Sequence, residues 1–294
     1  MVDYSDDLLT VYYSTRIDGR SYPMNFMAQK DNPASVLSAP HEPLLLPGCP
    51  GAFDHFGVMP TNIIDVGTEK RLYYIGWSVR KDVPYHNSLG LAISTDGGRT
   101  YKKHGPGPVL STCRKEPGFV GTACVRWDGK RFMGYYLSCQ EWRKIGSRLE
   151  AIYDIKLAVS QNGIDWIPTG VTCLSLRQGE GGISQACVRE TSVGTYEMHY
   201  SFRGESSFRA GGPGAYRIGR ATSPDGLTWK RDLAPALEPS LEGWDSEQVA
   251  SPYIISSCDI DMMFYNGNGF GKSGIGYAIR KSALSAAGNF SEKK

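Results

Sequence analysis

The sequence lacks several features that would place it in a class of proteins at once. No apolar run approaches the length of a membrane-spanning helix, and residues 1–7 are acidic without an apolar core, so neither a membrane span nor a secretory signal is predicted. An excess of charge of one sign is also lacking, because 32 Lys and Arg against 30 Asp and Glu leave a formal charge of +2. This balance gives no support to nucleic-acid or membrane binding by bulk electrostatics.

Cysteine patterns that would indicate a disulfide framework or a zinc site are missing too. The seven Cys are an odd number with irregular spacing, and no two of them form a C-x-x-C pair. Several lie in short apolar runs, for example at residues 123–125 and 186–188. We therefore expect buried, reduced thiols in a cytoplasmic protein, with neither a metal nor another cofactor.

A turn phrase recurs along the chain. It begins at Ser94, Ser160 and Ser223, where it reads STDGGRTY, SQNGIDW and SPDGLTW, and each copy follows a short apolar stretch. Asp or Asn before Gly between two strands predicts a hairpin turn, since Gly adopts positive φ easily and the acid or amide accepts local hydrogen bonds. Repetition at a long, regular interval, with four short strands in each period, is typical of a β-propeller.

Aligning the chain on this repeat predicts an all-β fold, a five-bladed β-propeller that forms a single domain over residues 1–294. The N-terminal blade is expected to be incomplete, with strands at residues 9–14, 22–28 and 43–46, so that one blade is assembled near the chain termini and no sheet edge is left open. The turn phrases join the third and fourth strands of their blades and are expected to be structural. The approximate blades are 8–48, 58–110, 120–175, 183–237 and 249–285.

The loop before the first strand of each later blade carries a carboxylate. In a propeller these loops meet at one mouth of the central channel, where clustered acids repel one another and their pKa values separate. For each acid taken singly, a solvated or ion-paired side chain is the favoured interpretation, but four blades place an acid at the same position. The asymmetry of pKa values suits acid/base chemistry at a glycosidic bond. If the acids are crowded, Asp54→Asn should lower turnover while leaving stability unchanged or higher. The candidates are Asp54, Glu116, Glu180, Asp245 and Glu247.

Loops on the same face are expected to bind the substrate, because aromatic rings stack on sugar faces while Arg, Asn and His bind hydroxyls or an anionic group. Arg16 and Arg20 either bind a phosphate or carboxylate of the ligand or neutralise the acids. His55 could act as an acid/base group or as a hydrogen-bonding residue. The substrate-binding candidates are Arg16, Asp18, Arg20, His55, Trp77, Tyr85, His86, Asn87, Trp142, Arg203, Asn266 and Asn268.

Three features together resemble the five-bladed propeller superfamily of glycoside hydrolase families 43, 32 and 130: GAFDHFGVMP at residues 51–60, the repeated turns, and GWDSE at 243–247 followed by MFYNGN at 263–268. The resemblance spans nearly the whole chain and is greatest to uncharacterised glycosidase-like proteins found with sugar or polysaccharide biosynthesis genes. It implies that Asp54 is the base or nucleophile and Glu180 the general acid, with the other three acids competing for the remaining roles. The Asp-Pro pair of the family 43 base is absent, since His55 follows Asp54.

The sequence thus predicts a carbohydrate-active enzyme that acts on a glycosidic or glycosyl-phosphate bond with a carboxylate pair. A second interpretation is a biosynthetic enzyme on the same fold that acts on a sugar nucleotide or nucleoside by glycosyl transfer, phosphorolysis or elimination. A third is a propeller that binds sugar without catalysis. The partner expected in each case is a small molecule; the oligomeric state stays open.

Overall fold

The structure is a computed structural model that describes residues 1–5, 7–191, 194–257, 260–281, 290 and 292–293. These residues are almost entirely in strands and turns, as an all-β fold predicts. They form two compact units, unit 1 with residues 1–134 and 158–168 and unit 2 with the rest. The single-domain assignment stays a prediction. Cys258 and parts of the last predicted blade, at 258–259 and 282–285, lie outside the described residues.

The strands follow one another in groups of four. In unit 1 they are β1 Val2–Ser5, β2 Leu8–Ile17, β3 Arg20–Gln29, β4 Val36–Ser38, β5 Gly57–Val66, β6 Glu69–Ser78, β7 His86–Ser94, β8 Lys102–Lys103 and β9 Val120–Trp127. Three strands have residues in both units: β10 Phe132–Ile145, β11 Arg148–Ser160 and β12 Ile167–Leu174. In unit 2 they are β13 Glu180–Glu190, β14 Tyr196–Gly204, β15 Arg217–Ser223, β16 Lys230–Arg231, β17 Ala250–Ser257, β18 Ile260–Asn266, β19 Ile275–Lys281 and β20 Glu292–Lys293, with one helical turn, α1 Asn268–Gly271.

Within each unit, consecutive strands pair antiparallel, as hairpin connections require. In unit 1 β1 to β4 form one such group and β5 to β8 another, joined by a single parallel bridge between Ser21 and Gly57. In unit 2 β13 to β16 and β17 to β20 repeat the arrangement. Six consecutive residues of β6, 71–76, are buried, so both faces of this strand pack against protein, as an inner strand's apolar run predicts.

The N-terminal group differs from its prediction. Residues 43–46 are not a strand; the fourth strand is β4, which pairs with β3 through Met27 and Ala28. A further strand, β1, pairs with β2. Residues 2–38 therefore supply four strands by themselves, and this group is not incomplete. The apolar residues of 43–46 suggested a strand, but Leu45 is buried in the core without joining a ladder.

The turn phrases are held to preceding strands by a repeated aromatic contact. In three cases a tyrosine of the second strand of one group meets an aromatic ring at the turn of the next, edge to face, and His199 of β14 meets the ring of Phe290 in the same geometry. The phenol of Tyr73 also donates to the carbonyl of Gly163 at 2.7 Å, and that of Tyr135 to Gly226 at 3.0 Å. The ring pairs are Tyr12–Tyr101, Tyr73–Trp166, Tyr135–Trp229 and His199–Phe290, at centroid distances of 6.5, 6.1, 5.8 and 5.6 Å.

Inside each turn the Ser hydroxyl and the acid or amide bind the backbone. Ser94 Oγ accepts the Gly98 N–H at 2.8 Å, and Asp96 Oδ1 accepts the Thr100 N–H at 3.0 Å. Hydrogen bonds from the side chain and backbone of Thr100 hold the pKa of Asp96 well below its usual range. These contacts account for the recurring residues, as the structural interpretation of the turns expects.

We expect Tyr73→Phe to lower the free energy of unfolding by about 1 kcal/mol, because the variant loses one buried hydrogen bond and leaves the Gly163 carbonyl without its donor. Urea unfolding of the two proteins measures the difference. Tyr13→Phe is the matched control, since this half-buried phenol makes no hydrogen bond to another described residue. Equal losses in both variants would contradict the assigned role of the Tyr73 hydroxyl.

Candidate functional site

Asp54 lies in unit 1 in the loop before β5 and is 2% exposed. Its Oδ2 accepts the Tyr74 hydroxyl of β6 at 3.2 Å and lies 2.5 Å from Lys103 Nζ of β8. Burial, followed by the charge of the neighbouring carboxylate, raises the pKa of Tyr74, so this phenol stays a donor. The carboxylate is thus held by a tyrosine and a cation from two other strands of the same group.

Asp245 in unit 2 has the same surroundings in the loop before β17. Its Oδ2 accepts the Tyr265 hydroxyl of β18 at 2.9 Å and the Lys293 ammonium of β20 at 3.1 Å. Burial alone would raise the pKa of Asp245, but hydrogen bonds from Ser240, Lys293 and Tyr265 outweigh it and hold the pKa below its usual range. This carboxylate is therefore charged in the folded protein.

Glu180, the first residue of β13, also lies beside a basic residue and a tyrosine of its own strand group. Arg231 of β16 binds it with both ends of its fork, at 2.6 and 2.8 Å, and donates from Nε to the Tyr200 hydroxyl of β14 at 2.8 Å. The pKa of Arg231 is raised, since its hydrogen bonds to Glu180 and Tyr200 outweigh the effect of burial. An acid, a second-strand tyrosine and a fourth-strand base therefore meet three times, and we call each trio an acid–tyrosine–base set.

The tyrosine follows the acid by 20 residues in every set, and the same interval separates Glu116 from Tyr136. This spacing is visible in the sequence and could have identified the tyrosines. Asp54, Glu180 and Asp245 each have a cation of their own, which compensates the charge of the carboxylate. Stability should accordingly fall, not rise, in Asp54→Asn.

The two other predicted acids lie in different surroundings. Glu116 is buried, and its backbone N–H donates to the Cys113 carbonyl at 3.1 Å in a tight bridge before β9. Glu247 is exposed, and its backbone N–H donates to Asn268 Oδ1 at 2.8 Å. The catalytic roles of all five acids stay predictions.

Unit 1 brings several predicted binding residues together at the end of the β2–β3 hairpin. The guanidinium of Arg16 lies over the Trp77 ring, 5.1 Å from its centroid, and that of Arg20 over Phe56 at 6.0 Å. The Phe56 and Trp77 rings are 5.7 Å apart, and His55 packs edge-on against Phe56 at 5.0 Å. We call these five residues the arginine–aromatic platform.

The two arginines of the platform are not neutralised by protein. Among the described residues, no carboxylate lies within ion-pair distance of Arg16 or Arg20. The ring quadrupoles partly compensate the positive charges, and both side chains remain accessible. Of the two interpretations that the sequence left open, this geometry favours a ligand anion over neutralisation of the acids.

Neighbouring predicted residues extend the platform or support it. Asn87 lies opposite Trp77 in the β6–β7 ladder, and His86 lies opposite Ser78. Burial, with a smaller contribution from Arg80, lowers the pKa of His86, so its imidazole is neutral at neutral pH.

Two further predicted residues of unit 1 have local structural roles. Asp18, at φ 49°, and Gly19, at φ 78°, form the tight turn of the β2–β3 hairpin, which explains this Asp-Gly pair. The ring of Tyr85 packs against Phe119 at 5.3 Å.

In unit 2 the predicted binding residues differ in their burial and in their hydrogen bonds, and their binding role stays a prediction. Arg203 is 1% exposed and reaches no surface ligand directly. The side-chain amide of Asn268 is bound within a turn, because Nδ2 donates to the Gly243 carbonyl and to Ser246 Oγ. Asn266 ends β18 and Trp142 lies in the outer part of β10, both half-buried.

Other expectations concern metals, thiols and membranes. In the described part of the chain, no group of three or more His, Cys, Asp or Glu could hold a metal ion. Six described cysteines are thiols: four are buried as predicted, Cys113 is half-buried, and Cys49 is exposed. No helix in the described ranges is long and apolar enough to cross a membrane.

The chain has relatives of about its own length. The uncharacterized proteins MT1551 and Rv1502 of Mycobacterium tuberculosis, strains CDC 1551 / Oshkosh and ATCC 25618 / H37Rv, are each 30% identical to it over 280 residues, 93% of this chain and 88% of theirs. No protein-family model matches the chain.

Solved structures of similar fold include carbohydrate-active proteins at low sequence identity. A glycoside hydrolase has a TM-score of 0.71 and 16% identity, covering 99% of this chain and 89% of its own. A thermostable family-43 glycoside hydrolase has a TM-score of 0.58 and 16% identity, covering 82% and 72%. The GH32 β-fructofuranosidase BmSUC1 of Bombyx mori has a TM-score of 0.64 and 13% identity, covering 96% and 61%. These likenesses show the fold, which is that of the propeller glycoside hydrolases.

Proposed function

The chain belongs to the same family as the uncharacterized proteins MT1551 and Rv1502 of Mycobacterium tuberculosis, and we propose that it is a carbohydrate-active enzyme that cleaves or transfers at a glycosidic or glycosyl-phosphate bond. In this proposal the strand groups are the blades of a five-bladed propeller, and the substrate is a small sugar-containing molecule. The predicted cytoplasmic location is part of the same proposal.

The arginine–aromatic platform carries this proposal. Half-exposed Trp77 and Phe56 offer flat apolar faces of the kind that sugar rings stack on, while Arg16 and Arg20 lie over those faces with their charges available to an anionic group. Arg is well suited to phosphate and carboxylate, because its planar fork binds two oxygens at once. The substrate that fits best therefore combines a sugar ring with a negative charge.

The acid/base pair of this proposal consists of Asp54 as base and Glu180 as general acid, with Glu116, Asp245 and Glu247 as rivals. The acid–tyrosine–base sets supply a criterion for choosing between them. A carboxylate that serves only to hold its own blade together affects stability and not the rate per folded molecule. One that acts on the substrate lowers that rate even when the fold is intact.

The same platform also supports the second interpretation, a biosynthetic enzyme that acts on a sugar nucleotide or nucleoside. Two accessible arginines next to aromatic rings fit a phosphate attached to a stacked base as well as they fit a charged sugar. Sugar binding without catalysis is the third interpretation, and it predicts affinity for such ligands without turnover.

The test is a mass-spectrometric and NMR screen of the purified protein against two panels. One contains aryl glycosides, furanosides included; the other contains sugar phosphates, sugar nucleotides and nucleosides. We expect conversion in at least one panel. The double variant Arg16→Gln with Arg20→Gln should raise KM about tenfold or more, because the loss of one charge-assisted hydrogen bond has about this effect. Arg80→Gln, an exposed arginine of the same unit, is the control.

Conversion is then compared in Asp54→Asn and Lys103→Met, with rates divided by the folded fraction. If Asp54 is the base, Asp54→Asn should lose about a hundred- to ten-thousandfold in rate while Lys103→Met keeps most of it. If Asp54→Asn keeps as much of the parental rate per folded molecule as Lys103→Met does, Asp54 is removed from the mechanism. Binding without conversion in either panel would contradict the proposed enzyme and favour a propeller that binds sugar without catalysis.

A further inference from the structure

A cleft of about 210 Å³ in unit 2 has none of the predicted site residues in its lining. It lies between the ends of β10 and β11 and the segment that follows β14. This volume suits one small polar group or sugar ring rather than a chain of sugars. Its lining residues are Ile145, Arg148, Glu150, Glu205, Ser206, Ser207, Phe208, Arg209 and Ala210.

An ion pair lies inside this cleft. Glu150 of β11 is buried, and Arg209 binds both of its oxygens, Nε to Oε1 at 3.3 Å and Nη2 to Oε2 at 2.7 Å. The Arg209 side chain is 45% exposed, so one edge of its guanidinium faces solvent while the other is held by the acid. This exposure makes Arg209 accessible to a ligand, and Glu150 would compete with that ligand.

A second, buried positive charge contacts the lining residue Phe208. Two guanidinium groups lie near the Phe208 ring, that of Arg203 at 3.8 Å from the ring centroid and that of Arg209 at 4.5 Å. Arg203 donates to the Tyr153 hydroxyl and to the carbonyls of Ala151 and Gly204, all neutral acceptors. In the part of the chain that the structure describes, no carboxylate forms an ion pair with it.

A buried charge is normally paired, because transfer from water to a less polar interior is costly. Arg203 has only uncharged hydrogen-bond partners, and the exposed Arg148 at the rim likewise has no ion pair among the described residues. Glu205, the second acid of the lining, is bound by Arg143. The backbone next to Phe208 is also constrained, since Ser207 adopts φ 58°, which a non-glycine residue takes only when its surroundings hold it there. Arg148, Arg203 and Arg209 therefore stand against Glu150 alone, since Glu205 is bound by Arg143, and positive charge is in excess around the cleft.

We infer that this cleft binds the anionic group of a ligand, a carboxylate or a phosphate ester, with Arg209 and Arg148 as its contacts and Arg203 behind Phe208 as the supporting charge. Glu150 occupies Arg209 in the unliganded protein and is displaced, at least in part, when the ligand anion binds. The inference rests on the proposed function only in taking a sugar as the carrier of that anion, so inorganic anions can test it without any turnover.

The test is isothermal titration calorimetry in a background that carries Arg16→Gln and Arg20→Gln, so that the platform does not contribute. Three probes are used: inorganic phosphate, methyl glucuronide and the neutral methyl glucoside. We expect phosphate, the glucuronide or both to bind and the glucoside to bind at least tenfold more weakly. Arg209→Gln should weaken anion binding about tenfold or more, the loss of a hydrogen bond to a charged group.

Glu150→Gln is the decisive variant, because it removes the competing charge and should tighten anion binding severalfold. Arg131→Gln and Asp128→Asn are matched controls, since Arg131 is 42% exposed and also pairs with an acid; both should leave anion affinity unchanged. Equal affinity for the neutral glucoside, or weaker anion binding in Glu150→Gln when circular dichroism shows it folded, would overturn the inference. Binding of phosphate alone identifies a phosphate ester as the anion, and binding of the glucuronide alone identifies a carboxylate.

The outcome is separable from that of the proposed function. Anion binding in the cleft with no conversion in the substrate screen would leave the cleft assignment standing and remove the enzyme. Conversion in the screen without any anion binding in the Arg16→Gln and Arg20→Gln background would leave the proposed enzyme standing and remove the cleft assignment.

Discussion

Replacing Arg231 with methionine is expected to lower the free energy of unfolding by about 3–5 kcal/mol, the cost of removing one partner from a buried ion pair. Glu180 and Arg231 are both largely buried, with side chains 11% and 9% exposed, and the arginine binds both carboxylate oxygens. The methionine fills a similar volume but leaves the carboxylate without its cation and the Tyr200 hydroxyl without its donor.

Urea unfolding followed by circular dichroism measures this loss. The double variant Glu180→Gln with Arg231→Met should recover much of it, because the uncompensated charge is then gone. Arg80→Met is the matched control at a 52% exposed arginine and should change stability by less than about 0.5 kcal/mol. A loss in Arg231→Met as small as in this control would show that the acid–tyrosine–base set does not stabilise the fold.

This result also bears on catalysis. Three of the five predicted catalytic acids lie in acid–tyrosine–base sets, and a repeated set in separate strand groups has a structural explanation that does not involve a substrate. If Asp54→Asn, Glu180→Gln and Asp245→Asn all lose stability while keeping their rate per folded molecule, the search for the acid/base pair moves to Glu116 and Glu247.

As the pH falls from 7 to 5, the free energy of unfolding should fall by about 2 kcal/mol more in the parent protein than in His199→Phe. This imidazole is fully buried, and neither ring nitrogen has a hydrogen-bond partner among the described residues. Burial lowers the pKa of His199 to about 3, with Arg280 and Arg189 opposing the attraction of Glu197. The folded chain therefore stays unprotonated in a range where the unfolded chain takes up a proton.

The sign follows from that difference in bound protons. Below the ordinary imidazole pKa the unfolded state binds one proton more, so stability falls with falling pH, at about 1.4 kcal/mol per pH unit once the unfolded histidine is mostly charged. Urea unfolding at pH 7, 6 and 5 of the parent and of His199→Phe measures it. His41→Gln, at an exposed histidine, should leave the pH dependence unchanged. Parallel curves for the parent and His199→Phe would contradict a neutral, buried His199.

The choice of phenylalanine comes from the fold itself. Position 199 is the fourth member of the series Tyr12, Tyr73, Tyr135 and His199, each of which packs edge to face against an aromatic ring farther along the chain. An aromatic ring without nitrogens keeps the edge-to-face contact with Phe290 and removes two unsatisfied polar atoms, so His199→Phe should also be more stable than the parent at pH 7.

Around His199, a network of charges makes a separate contribution at lower pH. Glu197 and Asp261 are buried and bound by Arg189 and Arg280, and hydrogen bonds and charges from these arginines overcome the effect of burial and lower the pKa of both acids. Their stabilisation is complete above the ordinary carboxyl pKa and is lost as the pH falls below it. The carboxylates contribute only below the ordinary carboxyl pKa, so the effect of His199 is seen without them between pH 7 and pH 5.

Much of the architecture could be predicted from the sequence, because it depends on local chemistry. The turns at Ser94, Ser160 and Ser223 follow from Asp or Asn with Gly, whose hydrogen bonds lie within a few residues. The alternation of apolar strands around them indicated most strand positions to within a few residues. The N-terminal group was the exception, since residues 43–46 pack into the core without the ladder partner that a strand needs.

The order of residues alone indicates that the chain is all-β, that it repeats, and that four of its repeats have an acid before or at the start of the first strand with a tyrosine 20 residues later. Which charges meet depends on the folded arrangement. Asp54 reaches Lys103 and Glu180 reaches Arg231 because hairpins bring the fourth strand of a group back beside its first loop, across intervals that no local rule relates. In the same way, Arg203 is buried by Phe208, while Arg16 and Arg20 keep their charges accessible on aromatic rings. Charge interactions depend on distance and burial, and both are properties of the folded chain.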